Sequence, residues 1–524
     1  MSMLKWQKKR TSNSSPKLFR CSFFPLTGTR ACTYSVHVHY KLLNCLCQQF
    51  FKNVYCSTNT ARVPICQNLT ERGSRAMIFS PIELLSFVIE QICQNRKSYV
   101  KNPDTDFKRE RKLPLKDLLM LLIRIEGNCM NAEIAKAFPD INQQMHASAV
   151  IQQRDKLKPE VFLQILRLFN QYIPVKRRWH KYRVLALDGS KYQVPLNRKG
   201  IYFFGPNGRD KLTGEKAKDI SMVVFHGLFD VLNRMFLDVR LSPAKGKGND
   251  ERTAAIDILH NNALNDAIIT MDRGYDGYNM FEHANRFGGH YVIRCQNSSN
   301  AIPEIRDLPN VEMDKWVHMK VTTSTKKKFK NSGYRHIRAP KKDYGKDLSE
   351  KTKYQRWDFE ETCIIRTRII KFQLDNGTWE VLATNLRKDE FSIKDLKELY
   401  HLRWGIETAY RDLKYTIGSK CCHSRKDQFI EQELLAHTVM YNIISTLVDQ
   451  ITIEAKPGEK HPKKVDFKMA TVAVREFLFH PGRQTYEELL MIIKKHVHSV
   501  VSGRRDERKI RPPTLIPFTY RISA

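Results

Sequence analysis

Three acids, Asp188, Asp272 and Glu407, have the types and settings from which chemistry can be built. Asp188 ends the apolar run RVLALD (183–188) before Gly189, and Asp272 ends AIITMD (267–272) before a turn containing Gly274. Strand ends in mixed α/β sheets are where such folds place functional groups. Three carboxylates brought to one point repel each other unless a cation neutralises them. Two hard divalent ions, about 3.5–4 Å apart, do so and carry out in-line phosphoryl chemistry. One lowers the pKa of an attacking water or 3′-hydroxyl; the other stabilises the leaving oxygen. Magnesium suits oxygen donors and takes few of them from the protein, and manganese is a possible substitute. Taken singly, an Asp at a strand end is more often a turn or cap residue. The order strand-Asp, strand-Asp, helix-Glu, in a basic chain, weighs against that reading.

The elements that must position these acids can be read from periodicity. The stretch SIKDLKELYHLRWGIETAYRDLK (392–414) predicts one continuous helix, with Ser392 as N-cap and Asp395 three residues on. Leu399, Leu402, Ile406, Ala409 and Leu413 form its apolar stripe. An adjoining face carries Tyr400, Arg403, Glu407 and Lys414, and the ordinary reading of Arg403 and Glu407 is an i,i+4 ion pair. RVLALDGS (183–190) predicts a short strand ending in a turn, and SMVVFHGLFD with VLNRMFLDVRLSP predicts a hairpin. Asp250 and Glu251 open a helix through His260; AIITMD is a second apolar strand, followed by a helix (278–287) and a strand (290–296). Strands first and then alternating strand and helix predict a mixed sheet with helices on its faces.

The 524 residues allow several domains. Residues 1–76 hold twelve Lys or Arg against one acid and six of the twelve cysteines, with no sustained period. They read as a basic upstream extension outside the native protein, with Met77 as the functional start. Residues 77–180 predict a helical N-terminal domain, either a DNA reader or a helical cap. Residues 181–296 and 387–420 carry the acids, 297–386 read as a β-rich insertion, and 421–524 as a helical region with a basic tail. Between Lys326 and Arg356 lie twelve Lys or Arg and three acids, which reads as a solvated basic loop. The net charge of +34 points to a polyanionic partner, nucleic acid first. No apolar run reaches the roughly 18 residues of a spanning helix. The cysteines lack zinc spacing, and those beyond residue 76 read as reduced thiols.

Tyr400, Arg403, Glu407 and Lys414 fit Y-x(2)-R-x(3)-E-x(6)-K at every position. With ALDGS and TMDRGYDG in order before it, the chain resembles the bacterial insertion-sequence DDE transposases, specifically insertion-sequence family four. Asp272 follows Asp188 by 84 residues and Glu407 follows Asp272 by 135, which leaves room for the β-insertion of that group. The resemblance covers about residues 130–450. It implies an α/β, RNase H-like catalytic core interrupted by a β-rich insertion, and cut-and-paste transposition at terminal inverted repeats. Asp188, Asp272 and Glu407 are then the catalytic acids and ligands of two magnesium ions. Arg403 and Lys414 are expected to hold phosphates of the DNA end and Tyr400 its terminal nucleotides. Trp379, 28 residues before Glu407, is expected to handle a displaced base, ahead of Trp316 and Trp357. Arg273 and Arg294 are expected at phosphates or in structural salt bridges. Double-stranded DNA, a homodimer in the synaptic complex and a bacterial cytoplasmic, nucleoid-associated setting complete the implication. The alternatives are an RNase H-like nuclease that joins nothing and a catalytically inactive DNA-binding relative.

Overall fold

A computed structural model describes residues 80–109, 111–205, 219–244, 251–337, 357–422, 424–454 and 457–501. All of them belong to the second of the two units into which the chain divides, Arg75–Ala524. The expectations for residues 1–76, for the loop 206–218, for most of the basic stretch (338–356) and for the tail beyond 501 lie outside the described residues.

The first helices are α1 (Pro81–Gln94), α2 (Leu115–Arg124), α3 (Met130–Ala137), α4 (Ala147–Asp155) and α5 (Glu160–Tyr172). The central part then runs β1 (Arg183–Val194), β2 (Phe203–Phe204), β3 (Ile220–Asp230), β4 (Met235–Pro243), α6 (Glu251–Asn261), β5 (Ala267–Met271), α7 (Tyr278–Arg286) and β6 (His290–Cys295). After these come α8 (Pro303–Arg306), β7 (Met313–Thr322), α9 (Lys327–Asn331), β8 (Arg335–His336), β9 (Thr362–Gln373) and β10 (Trp379–Thr384). The chain continues through α10 (Ile393–Leu402), α11 (Trp404–Arg411), a π-helical turn (Asp412–Thr416) and α12 (Asp427–Val448). It closes with β11 (Lys463–Val465), α13 (Phe467–Phe479), α14 (Tyr486–Lys495) and β12 (Val497–Ser499).

One large sheet runs β2-β3-β1-β5-β6-β10-β9-β7-β8, with β4 also paired to β3. β4, β3 and β1 form an antiparallel meander, and β5 and β6 continue parallel to β1. Every residue of β5 is buried, as a parallel strand covered on both faces requires. The segment read as a β-rich insertion supplies β7 to β10, and β10 joins the same sheet by pairing with β6. Alternation along β1 separates the two faces. Leu185 and Leu187 pack with α6 and α7 residues such as Ile258 and Phe281. Ala186, on the other face, packs with Ile406 and Ala409 of α11 and with α12. Val184, on that same face, meets Leu396 and Leu399 of α10.

The helices before residue 180 share one core with those after residue 421. Arg154, 1% exposed, ties them together, with Nε donating to Gln432, Nη1 to Glu433 and Nη2 to the Phe429 carbonyl. Their buried faces serve this joint between the first and last helices.

Two expectations about the central elements are corrected. β1 does not end at Asp188 but continues to Val194. The parallel ladder with β5 stops at Leu187–Met271, whereas pairing with β3 goes on through Val194–Ser221. The antiparallel neighbour carries the strand past the point where the parallel one leaves it. The helix predicted over 392–414 is also not continuous, for it breaks at Arg403. There the backbone bonds tighten to i→i−3, from Arg403 N–H to the Tyr400 carbonyl and from Ile406 N–H to the Arg403 carbonyl. A Cβ on Gly405 would stand 2.7 Å from Val231 Cγ1, so α11 approaches the β3–β4 turn more closely than a side chain at that position permits. The Ser392–Asp395 capping box is present as predicted.

Candidate active site

The register of the sheet places the first two acids side by side. Leu187 and Met271 are the last paired residues of the β1–β5 ladder, and Asp188 and Asp272 each come next. Their carboxylates each take a backbone N–H from the following residue, Gly189 at 2.8 Å and Arg273 at 2.6 Å. α11 lies over this edge and brings Glu407. The hydroxyl of Tyr410, one turn on, accepts from Gly227 N–H at 3.1 Å and donates to the Asp188 carbonyl at 2.6 Å. That hydroxyl bridges β1 and β3 at the paired residues Asp188 and Gly227. A Cβ on Gly227 would be 3.0 Å from it and from Phe236 Cε1, so a side chain there would have to displace one of them.

The break at Arg403 gives this side chain its place. Arg403 is 3% exposed and spans two acids, with Nη1 3.8 Å from Asp188 Oδ2 and Nη2 3.1 Å from Glu407 Oε1. Tyr400 donates to Asp272 Oδ1 at 3.4 Å. Asp188, Asp272 and Glu407 are thus joined through two residues of the Tyr-Arg-Glu-Lys pattern. Burial raises the Asp188 carboxyl to about 6, with Glu251 and Asp272 adding to the rise and Gly189 N–H and Arg403 opposing it. Burial also raises the Tyr400 phenol. Burial pulls Arg403 downward, yet Tyr400, Asp272, Asp188 and Glu407 together outweigh it and hold this guanidinium above its ordinary value.

The remaining expected residues divide. Arg273 is exposed beside Asp272. Arg294 pairs with Glu380 at 2.9 Å, the structural ion pair that was one of its two readings. Trp379 is half-buried at the start of β10, at the end of the sheet where Asp272 lies, with Lys371 Nζ 6.0 Å from its ring centroid. Trp357 is buried, and Trp316 lies on β7 under Arg366. Lys414 falls in the π-helical turn and not on the α11 face. Its ammonium rests 4.7 Å from the Tyr192 ring centroid, and burial lowers it to about 8. The sequence reading missed Tyr410, Glu251 and Trp404. Trp404, beside Arg403, is 49% exposed. Its position inside the motif was the available signal.

The donor set is all oxygen, the kind that hard divalent ions take. Tyr275, whose N–H donates to the Asp272 carbonyl, has a buried hydroxyl without a hydrogen-bond partner, a group that a further polar species would satisfy. Burial and the charges of Asp188, Glu251 and Asp272 raise its pKa. In chemistry the residues fit a divalent cation. As they stand, with Arg403 between Asp188 and Glu407, no three acidic, His or Cys side chains among the described residues surround one point closely enough to hold a metal ion. Arg403 supplies the positive charge that the acids share.

Comparison with known proteins identifies the family. The transposase DDE domain family matches residues 179–443, which include all three acids, Tyr400 and Arg403. No curated protein matches the chain. Among solved structures it is similar to the piggyBac transposase in a cryo-EM synaptic complex with hairpin DNA. That likeness has 11% identity, covers 82% of this chain and 87% of that one, and has a TM-score of 0.38, too low to carry an argument. With half of its length matched, and the acids joined through Tyr400 and Arg403, the chain belongs to the transposase DDE domain family.

Proposed function

We propose that the chain is a cut-and-paste DNA transposase of the insertion-sequence family-four type. On this reading it cleaves the ends of its element and joins them to target DNA with Asp188, Asp272 and Glu407 as the catalytic acids. The observation that carries the proposal is the convergence of these acids through Tyr400 and Arg403, within residues that match a transposase domain. The β4-β3-β1 meander continued by parallel β5 and β6 supports an RNase H-like core. The net charge of +34 supports DNA as the partner.

Asp188, Asp272 and Glu407 would hold two divalent ions, magnesium or manganese, which when bound activate the attacking oxygen and stabilise the leaving one. Arg403 leaves Asp188 and Glu407 to a stronger cation and turns its fork to a phosphate of the DNA end. Tyr400 keeps Asp272 oriented and packs at the terminal nucleotide. Arg273 and Lys414 meet flanking phosphates, and Trp379 or the exposed Trp404 takes an unstacked base. Arg294, already paired with Glu380, braces the site. Two ends must be held together, so the active form is a dimer on DNA, working in the bacterial cytoplasm at the nucleoid.

The test uses the full chain, with a plasmid carrying its reading frame and native flanks, in magnesium and in manganese. Cleavage at the element ends, hairpin or joined products are expected for the wild type. Glu407→Gln is expected to lose them by at least about a thousandfold while filter binding of the same DNA stays within about threefold. Undiminished cleavage by Glu407→Gln would remove Glu407 from the chemistry. Cleavage without joined products would assign a nuclease instead.

A further inference from the structure

Beyond the three acids, a fourth carboxylate reaches the same edge of the sheet from the opposite face. Glu251 is the first residue of α6, which packs on the Leu185–Leu187 face, while α11 with Glu407 packs on the Ala186 face. Its two oxygens are located by the glycines after each aspartate. A Cβ on Gly189 would stand 3.1 Å from Glu251 Oε1, and one on Gly274 would stand 3.2 Å from Oε2. The carboxylate therefore spans the turn after Asp272 and the strand just past Asp188, and glycines at both positions leave it that space. Arg252, next in sequence, donates from Nε to the Gly274 carbonyl at 2.9 Å, which fastens the start of α6 to the Asp272 turn.

A helix-start glutamate is ordinarily a favourable charge at the positive end of a helix and nothing more. Tyr275 separates the two cases. Its side chain is 1% exposed and its hydroxyl has no hydrogen-bond partner. The negative charges acting on it are Asp188, Glu251 and Asp272. A buried orphan hydroxyl in the turn after Asp272, where its own N–H donates to the Asp272 carbonyl, is a costly arrangement for a purely structural site. It becomes a satisfied one when a hydrated cation or a bound oxygen lies among those acids.

We propose that Glu251, with the Tyr275 hydroxyl as its buried polar partner, is a fourth acidic group of the divalent-cation centre. It closes the Asp188–Asp272 side opposite Glu407. This rests on the metal-dependent reading above. Glutamates from the two faces then flank the two aspartates, and the cation load is shared by four carboxylates.

The test measures Mn2+ binding to the full-length chain by the loss of the free-ion EPR signal, together with the Mn2+-induced rise in melting temperature. Wild type, Asp188→Asn, Glu251→Gln and Tyr275→Phe are compared. Wild type is expected to bind, Asp188→Asn to lose binding, and Glu251→Gln to bind on the order of tenfold more weakly, with Tyr275→Phe between it and wild type. If wild type itself takes up no Mn2+, the metal-dependent reading fails, and this proposal with it. If wild type binds and Asp188→Asn does not, yet Glu251→Gln matches wild type in both affinity and melting shift, this proposal alone is overturned. A helix-start role lowers the melting temperature equally with and without Mn2+ and leaves affinity unchanged, which counts as the same overturning result. Should Glu251→Gln not fold, Glu251→Ser, which can cap a helix start without a charge, is read in the same way.

Discussion

Replacing Asp188 by Asn should stabilise the metal-free chain at neutral pH, although it removes an acid proposed for catalysis. Burial lifts this carboxyl from its ordinary 3.8 to about 6. The folded chain therefore binds the proton more tightly than the unfolded chain between those values. The stability that protonation gives is fully present below pH 3.8 and is lost as pH rises through 6. At about 1.4 kcal/mol per unit, roughly two units amount to about 3 kcal/mol lost by neutral pH. Asn carries no charge, so it avoids that loss. The contact with Arg403, long at 3.8 Å, is already included in that figure, because it opposes the rise to about 6. A net gain of about 3 kcal/mol follows, or a rise of about 3 °C in the melting temperature of a chain this long. The assay is thermal melting of both proteins in EDTA at about pH 7.5 and about pH 4.5, where the gain should largely vanish. Manganese should reverse the order by stabilising the wild type alone. An Asn variant that melts below wild type in EDTA at neutral pH would show that Asp188 serves chiefly as a structural partner of Arg403, and would refute the reasoning.

Three further predictions follow from single contacts. Tyr410→Phe removes the hydroxyl that joins Gly227 N–H to the Asp188 carbonyl. It should cost about 1–3 kcal/mol in denaturant unfolding and lower end cleavage by about a hundredfold, with DNA affinity unchanged. Arg154→Leu removes the buried ion pair with Glu433, 2% exposed, and should destabilise the chain by about 3–5 kcal/mol; a melting temperature within a degree or so of wild type would contradict it. Lys414, lowered to about 8, keeps its charge at pH 7 and loses it by about pH 9. Binding to the element end should therefore weaken over that interval in wild type and stay level in Lys414→Ala, whose salt slope should be shallower by about one.

Much of the candidate site was legible before any coordinate. Residue types and order marked Asp188, Asp272 and Glu407 because strand-end acids and a helix glutamate in a basic chain have few common explanations. The i,i+4 spacing predicted the Arg403–Glu407 pair, and it is present. The boundaries of α6, β5, α7 and β6 followed from their periods, which depend on burial of nearby residues. Register was not legible. That Asp188 lies within a strand, and is nevertheless the first residue beyond the ladder to β5, is a fact about a neighbour 84 residues away. The break at Arg403 was not legible either, nor was the close approach of Val231 to Gly405, a contact no helical period contains.

The sequence by itself determined which side chains are available for chemistry, since the types, spacing and charge are local properties of the chain. Only the tertiary structure decided how they are held. It placed Arg403 between Asp188 and Glu407, moved Lys414 off the helix face into a π-helical turn, and set the Tyr410 hydroxyl between β1 and β3. It also brought Glu251 to the same edge from the opposite face of the sheet. The physical reason is that a helix start has the same sequence wherever it points. Only packing on one face of a shared sheet fixes which distant charge it meets.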